Sequence, residues 1–159
     1  MKTATVTQLK KELQYRDSEE LIKLCLRLSR FKKENKELLT YLLFEADNEV
    51  TYIEGIKEEV DEAFDNINTS SYFYIKKSVR KILRTIKKYI RYSLKKETEI
   101  ELLLYFSEKL KSFYPSINNN VTLTNIYLRQ IESIKKKLPA LHEDLQYDYN
   151  IQLEELLNS

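Results

Sequence analysis

Glycine and proline are nearly absent from this sequence of 159 residues: Gly55 is the only glycine, and Pro115 and Pro139 are the only prolines. Tight turns with positive φ usually require glycine, and antiparallel hairpin sheets would need several such turns. No segment alternates apolar and polar residues over the length of a strand, so the sequence predicts no β-sheet. Lysine, glutamate, leucine, isoleucine and tyrosine fill the chain instead, which indicates long helices joined by short polar loops.

The chain also lacks long apolar runs, and it has one cysteine, Cys25. A membrane-spanning helix needs about 18 or more consecutive apolar residues, and no such run occurs, so no transmembrane helix is expected. The first residues show no signal-peptide pattern. A single cysteine cannot form an intrachain disulfide, and Cys25 stands among leucines, so we expect it to be a small buried core residue. Together these features predict a cytoplasmic protein.

The spacing of apolar residues predicts an all-α fold, with about seven to eight antiparallel helices in a single domain over residues 1–159. Three helix starts carry the capping-box pattern, in which Thr or Asp is followed three residues later by Glu or Gln. These pairs are Thr5 with Gln8, Asp17 with Glu20, and Thr98 with Glu101. The predicted helices cover Val6–Gln14, a segment that begins at Asp17 or Ser18, Glu34–Ala46, Glu49–Asn66, Ser71–Lys95, Thr98–Phe113, Thr122–Lys137 and a segment that begins at Pro139.

Two stretches of the chain are similar to each other at an offset of 64 residues. Ile22–Leu42 and Ile86–Phe106 share nine identical residues in 21 positions. This similarity would make the second and third helices a duplicate of the fifth and sixth. Duplicated helical hairpins can stack into a superhelical array, and a compact bundle is the alternative that stays open.

A weaker likeness points outside the chain. The segment KKENKELLTYLLFEADNE, residues 32–49, resembles uncharacterised all-helical bacterial proteins. The resemblance covers one helix. It implies a bacterial helical protein, and it carries no activity and no site residues.

The segment from Tyr74 to Lys96 contains ten Lys or Arg and no Asp or Glu, while the rest of the chain has 17 basic and 25 acidic residues. On a helix its apolar residues share one face and its basic residues form an adjacent stripe, roughly 30 Å long at ~1.5 Å per residue. The apolar residues are Ile75, Val79, Ile82, Leu83, Ile86, Tyr89 and Ile90. The candidate binding face consists of Lys76, Lys77, Arg80, Lys81, Arg84, Lys87, Lys88 and Arg91.

Several interpretations of this basic face stay open. The preceding stretch, Glu45–Asp65, has nine acidic residues and one base, so pairing across a hairpin would leave a neutral or merely solvated face. An acidic protein partner would be attracted by the positive charge. A nucleic acid would use the charge and could stack on nearby tyrosines, although no recognised nucleic-acid motif is present. Membrane binding is not expected, because the apolar face is needed for the core.

Residues suited to catalysis are few. His142 is the only histidine, and we expect it to be exposed at the start of the last helix. A di-iron bundle or a zinc site on Cys and His ligands needs more histidine or cysteine than the chain has. The acidic cluster on the fourth predicted helix comprises Glu58, Glu59, Asp61, Glu62 and Asp65. All of these except Glu59 lie on the polar flank of the helix, and the cluster is expected to be solvated.

No catalytic, cofactor-binding or metal-binding residues are therefore predicted. The sequence favours a non-enzymatic helical interaction or scaffold module, with an acidic protein as the expected partner. The alternative is a nucleic-acid-binding accessory protein that uses the basic face of the helix near residues 72–95. The sequence does not determine the oligomeric state.

Overall fold

The computed structural model describes all 159 residues and confirms the all-α fold: the chain forms eight α-helices and no strand. The helices are α1 (Val6–Gln14), α2 (Ser18–Phe31), α3 (Lys33–Thr40), α4 (Glu49–Asp65), α5 (Tyr72–Ser93), α6 (Lys96–Lys111), α7 (Val121–Lys137) and α8 (Glu143–Asn158). Three short turns add to them, a π-helical turn at Tyr41–Glu45 and 3₁₀ turns at Ile117–Asn119 and Leu138–Ala140. None of the helices has both the length and the apolar composition that crossing a bilayer requires.

The chain divides into two compact units, Met1–Phe44 and Glu45–Ser159. In the N-terminal unit, α2 packs against α3, and two of the predicted capping boxes are confirmed. The backbone N–H of Gln8 donates to the Thr5 hydroxyl at 3.3 Å, and that of Glu20 donates to the Asp17 carboxylate at 2.8 Å. No residue of α1, α2 or α3 is buried, so these helices depend on local bonds and caps more than on a core.

The C-terminal unit is a helical bundle built around α6. This helix contacts α4, α5, α7 and α8, and it is apolar on most of its circumference. Its fully buried side chains include Ile100, Leu103 and Phe106. The buried hydrophobic cluster of the protein draws all of its members from α4 to α8 and the turns between them.

Three predicted helix boundaries are wrong. The sixth helix begins at Lys96 without a side-chain cap, because Thr98 is 1% exposed and its hydroxyl donates to the Glu49 carboxylate at 2.6 Å. The third helix changes type before it reaches Ala46: its α-helical part ends at Thr40, and the π-helical turn continues it to Glu45. Pro139 lies in a 3₁₀ turn, and α8 starts only after His142.

Helix α5 has the two faces that its sequence predicts. Ile82 and Ile86 are 6% and 0% exposed, whereas Arg80 and Arg84 on the adjacent face are exposed. The helix ends at Leu94, whose φ of 58° is in the left-handed region that normally favours glycine. The only glycine, Gly55, lies instead inside α4, where an added Cβ would meet nothing within 4 Å.

Candidate interaction surface on helix α5

The predicted basic residues lie together along the solvent side of α5. Six of the eight are exposed, and Lys76 and Lys88 are half-buried. Lys88 lies with its Nζ 4.8 Å from the centre of the Tyr89 ring. The other seven, from Lys76 to Arg91, form no ion pair or hydrogen bond through their side chains. The stripe therefore exists as a continuous cationic surface.

The acidic residues of α4 find their cationic partners elsewhere. Asp61 pairs with Lys109 of α6 at 2.8 Å, and Glu49 pairs with Lys95, beyond the end of α5, at 2.9 Å. One of the polar links between α4 and α5 is made by a tyrosine, since the Tyr89 hydroxyl donates to Glu59 at 2.8 Å. The acidic helix thus packs beside α5 without neutralising the seven cations by ion pairs.

Charge pairing between α4 and α6 is dense enough to shift pKa values. Partial burial opposes ionisation of Asp61, but hydrogen bonds from Lys109 and from the Tyr105 hydroxyl, at 2.6 Å, lower the pKa of Asp61 below its ordinary value. Burial likewise disfavours the charged form of Lys57, yet Glu101 at 2.8 Å and Glu54 at 2.9 Å raise its pKa. The α4 carboxylates facing α6 are therefore satisfied inside this unit.

A cleft of about 570 Å³ lies beside the basic stripe, between α5, α6 and α7. Its α5 wall carries Arg80, Arg84, Lys87 and Arg91. Apolar side chains from all three helices also line the cleft, namely Leu83, Ile90, Leu103 and Ile126. The cleft thus combines a cationic wall with an apolar floor, which the sequence of α5 alone could not reveal.

The opposite wall of this cleft holds its only carboxylate. Glu99 of α6 pairs with Lys137 of α7 at 2.9 Å, and the Lys137 ammonium also donates to the Ser133 hydroxyl at 2.8 Å. Because these three groups satisfy one another, the uncompensated charge of the cleft is concentrated on the α5 side.

The aromatic residues near the stripe lie away from the cleft. Phe73 and Tyr74 are exposed at the start of α5, with ring centres 5.3 Å apart. The Tyr72 hydroxyl donates to the Ser116 carbonyl at 2.9 Å, and Tyr92 is buried. Only Phe73 and Tyr74 are exposed among the aromatic residues close to the stripe, which are Tyr72, Phe73, Tyr74, Tyr89 and Tyr92.

The prediction for His142 is confirmed, and the prediction for Cys25 is wrong. His142 is exposed and caps α8, with its Nδ1 accepting from the Asp144 backbone N–H at 3.3 Å, so the predicted exposed position at a helix start is confirmed. Cys25 is exposed, so its predicted burial is wrong. The pattern of α2 indicates an apolar face, but no residue of α2 is buried.

Exposed apolar side chains in the N-terminal unit are a feature that the sequence analysis missed. In α2 they include Ile22, Leu24, Leu26, Leu28 and Phe31, and the exposed fraction of each side chain is 42% or more. The sequence of α2 could have indicated this exposure. Its apolar positions cover more than half of the helix circumference, which is wider than the stripe that one neighbouring helix covers. This unit therefore presents apolar surface as well as charge.

No group of three or more His, Cys, Asp or Glu side chains is placed to hold a metal ion. No protein-family model, curated protein or solved structure matches the chain.

Proposed function

We propose that this chain is a non-enzymatic helical interaction module that binds an acidic protein partner in the cytoplasm through the basic stripe of α5. The observation that carries the proposal is the absence of ion pairs on seven of the eight basic residues, although a strongly acidic helix packs beside them. Exposed charges of one sign steer an oppositely charged partner and set its orientation. The stripe is thus suited to recognition of a negative surface.

The apolar surface of the N-terminal unit supports the same class of function. Exposed apolar groups on a protein surface commonly mark contacts with other proteins. In residues 1–44 the only buried side chain is that of Tyr41. A module that joins partners is consistent with both surfaces.

The proposal is tested by recovering partners with charge-reversal variants in the native cell. Arg80→Glu with Arg84→Glu reverses two exposed stripe charges, and Lys10→Glu with Lys11→Glu reverses two exposed charges on α1 as the matched control. Crosslinking should recover the same protein partner with the parent chain and with the control. The amount recovered should be roughly tenfold lower with the stripe variant. Its affinity, measured with purified components, should fall as salt rises.

The proposal fails if the stripe variant and the control recover and bind the same protein equally. Circular dichroism of each variant must show unchanged helix content, so that a loss of binding is not a loss of folding. Nuclease treatment before recovery separates a direct protein contact from one bridged by nucleic acid.

Nucleic-acid binding is the second candidate, and the exposed pair Phe73 and Tyr74 favours it, because both rings lie close in sequence to Lys76 and Lys77. Aromatic rings beside cations are the usual platform for single strands. Fluorescence anisotropy with a single-stranded oligonucleotide would show binding at ~50 mM salt that falls steeply as salt rises, since counterions are released. Absence of binding at that salt concentration would exclude this candidate.

A further inference from the structure

We infer that the cleft between α5, α6 and α7 receives an amphipathic helix with acidic residues along one flank, supplied by the protein partner. This inference rests on the proposed function and specifies the shape of the segment that is bound. It depends on the contrast between the two walls of the cleft and on its apolar floor.

The floor gives the partner an apolar anchor. Leu83 is half-buried and packs at the edge of the core, and Ile90 and Ile126 are 8% and 9% exposed within the same cleft. A purely charged ligand would leave the exposed part of Leu83, the least buried of the apolar lining residues, in water. A helix lying in the groove would cover it with the apolar residues of its own face, as in other helix-in-groove complexes.

The cationic wall has helical spacing. Arg80, Arg84, Lys87 and Arg91 are separated by four, three and four residues, so they line one edge of α5 over about 17 Å at ~1.5 Å per residue. A partner helix lying alongside α5 would place carboxylates with the same spacing opposite them. Arginine favours such contacts, because its guanidinium can hold a carboxylate with two hydrogen bonds.

The other wall defines which flank of the partner is acidic. Lys137 is already paired with Glu99 and bonded to Ser133, so a carboxylate on that side would compete with an existing ion pair. The acidic residues of the partner are therefore expected on the flank facing α5 alone. This asymmetry gives the bound helix a defined orientation.

The same cleft is poorly suited to nucleic acid. None of the residues that line it is aromatic, whereas single-strand sites stack bases on aromatic rings. The exposed rings, Phe73 and Tyr74, lie in the first turn of α5 and are not among the lining residues. Charge and apolar floor together favour a protein helix.

A synthetic peptide provides the test. The probe is a fluorescently labelled helix of about 18 residues, with leucines on one face and glutamates along one flank. The control peptide has the same composition in an order that gives no apolar face. We expect the ordered peptide to bind the full chain in an anisotropy titration at ~100 mM salt, and the reordered peptide to bind roughly tenfold more weakly.

Two charge-reversal variants separate the cleft from general attraction. Arg80→Glu with Arg84→Glu changes the cleft wall, and Lys10→Glu with Lys11→Glu changes two exposed residues of α1, outside the basic stripe, by the same charge. The cleft variant should lose roughly tenfold or more in affinity and the matched variant less than about threefold. Leu83→Gln changes the floor of the cleft. It should weaken binding of the ordered peptide and leave binding of the reordered peptide unchanged.

The inference would be overturned if the two charge variants lost affinity equally or if the two peptides bound equally well. It would also be overturned if a single-stranded oligonucleotide bound the same wall more tightly than the ordered peptide. If the peptide does not bind but the native partner still depends on Arg80 and Arg84, only the helical shape of the ligand is wrong. If the native partner does not depend on them, the proposed function itself fails.

Discussion

Replacing Glu49 with alanine should destabilise the C-terminal unit more than any other single change to a charged residue of α4. The Glu49 side chain is 16% exposed and lies in the first turn of α4. Its carboxylate accepts hydrogen bonds from the hydroxyls of Ser93 and Thr98 and pairs with Lys95 at 2.9 Å. One side chain thus joins α4 to the end of α5 and the start of α6.

The size of the effect follows from the burial of these partners. Thr98 and Ser93 are 1% and 9% exposed, so water cannot readily replace the lost acceptor. A hydrogen bond to a charged group contributes about 1.5–3 kcal/mol, and the half-exposed pair with Lys95 adds about 0–1 kcal/mol. Since interactions that share one carboxylate are not additive, we expect Glu49→Ala to lower the free energy of unfolding by about 3 kcal/mol.

Urea denaturation followed by circular dichroism measures this difference. Glu58→Ala is the matched control, because Glu58 is an exposed carboxylate on the same helix without a described partner, and it should change the unfolding free energy by less than about 0.5 kcal/mol. Thr98→Val alone should cost about 1 kcal/mol. The double variant should lose less stability than the sum of the two single losses, because both changes remove the same hydrogen bond. A Glu49→Ala protein as stable as the control would refute the reasoning.

Three further predictions concern the core, pH and the two units. Ile86→Ala should cost about 3 kcal/mol in a denaturant titration because Ile86 is fully buried, whereas Leu28→Ala, at a side chain that is 61% exposed, should cost less than about 0.5 kcal/mol; equal costs would contradict the assigned core. Asp61→Asn should lower the melting temperature at neutral pH, because the lowered pKa of Asp61 means that its ionised form stabilises the folded state. The difference should begin to shrink as the pH falls below the ordinary carboxyl pKa of 3.8 and disappear below the lowered pKa of the folded state. A fragment of residues 45–159 should unfold cooperatively, whereas a peptide of residues 1–44 should show weak helicity by circular dichroism, since its helices have at most 14 residues and no buried side chain; cooperative unfolding of the peptide would contradict this assignment.

Features of the fold that depend on neighbouring residues could be predicted from the sequence. Helix α1 has the predicted bounds, because Thr5 and Gln8 cap it through bonds that span three residues. The two faces of α5 were predictable for the same reason, since the helical period alone separates Ile86 from Arg84. The exposure of the basic residues likewise depends on one helix, and six of the eight are exposed.

Features that depend on distant residues could not be predicted in this way. Thr98 matches a capping box, but its hydroxyl is bonded to Glu49, which is 49 residues away. Cys25 lies on an apolar face that the structure leaves exposed, and a helical pattern does not show whether anything covers it. The cleft required α6 and α7 to supply its floor and its second wall, so the pattern of α5 gave only half of the candidate site.

The position of the single glycine suggests how the fold could be made more stable. Gly55 stands in a helical turn where alanine would fit, and Leu94 adopts a left-handed conformation that costs a residue with a Cβ about 1 kcal/mol. Exchanging the two residue types, as Gly55→Ala with Leu94→Gly, would keep the glycine count at one while giving each position the residue that its dihedral angles prefer. The exchange should therefore raise the free energy of unfolding, since natural sequences are rarely the most stable ones for their own fold.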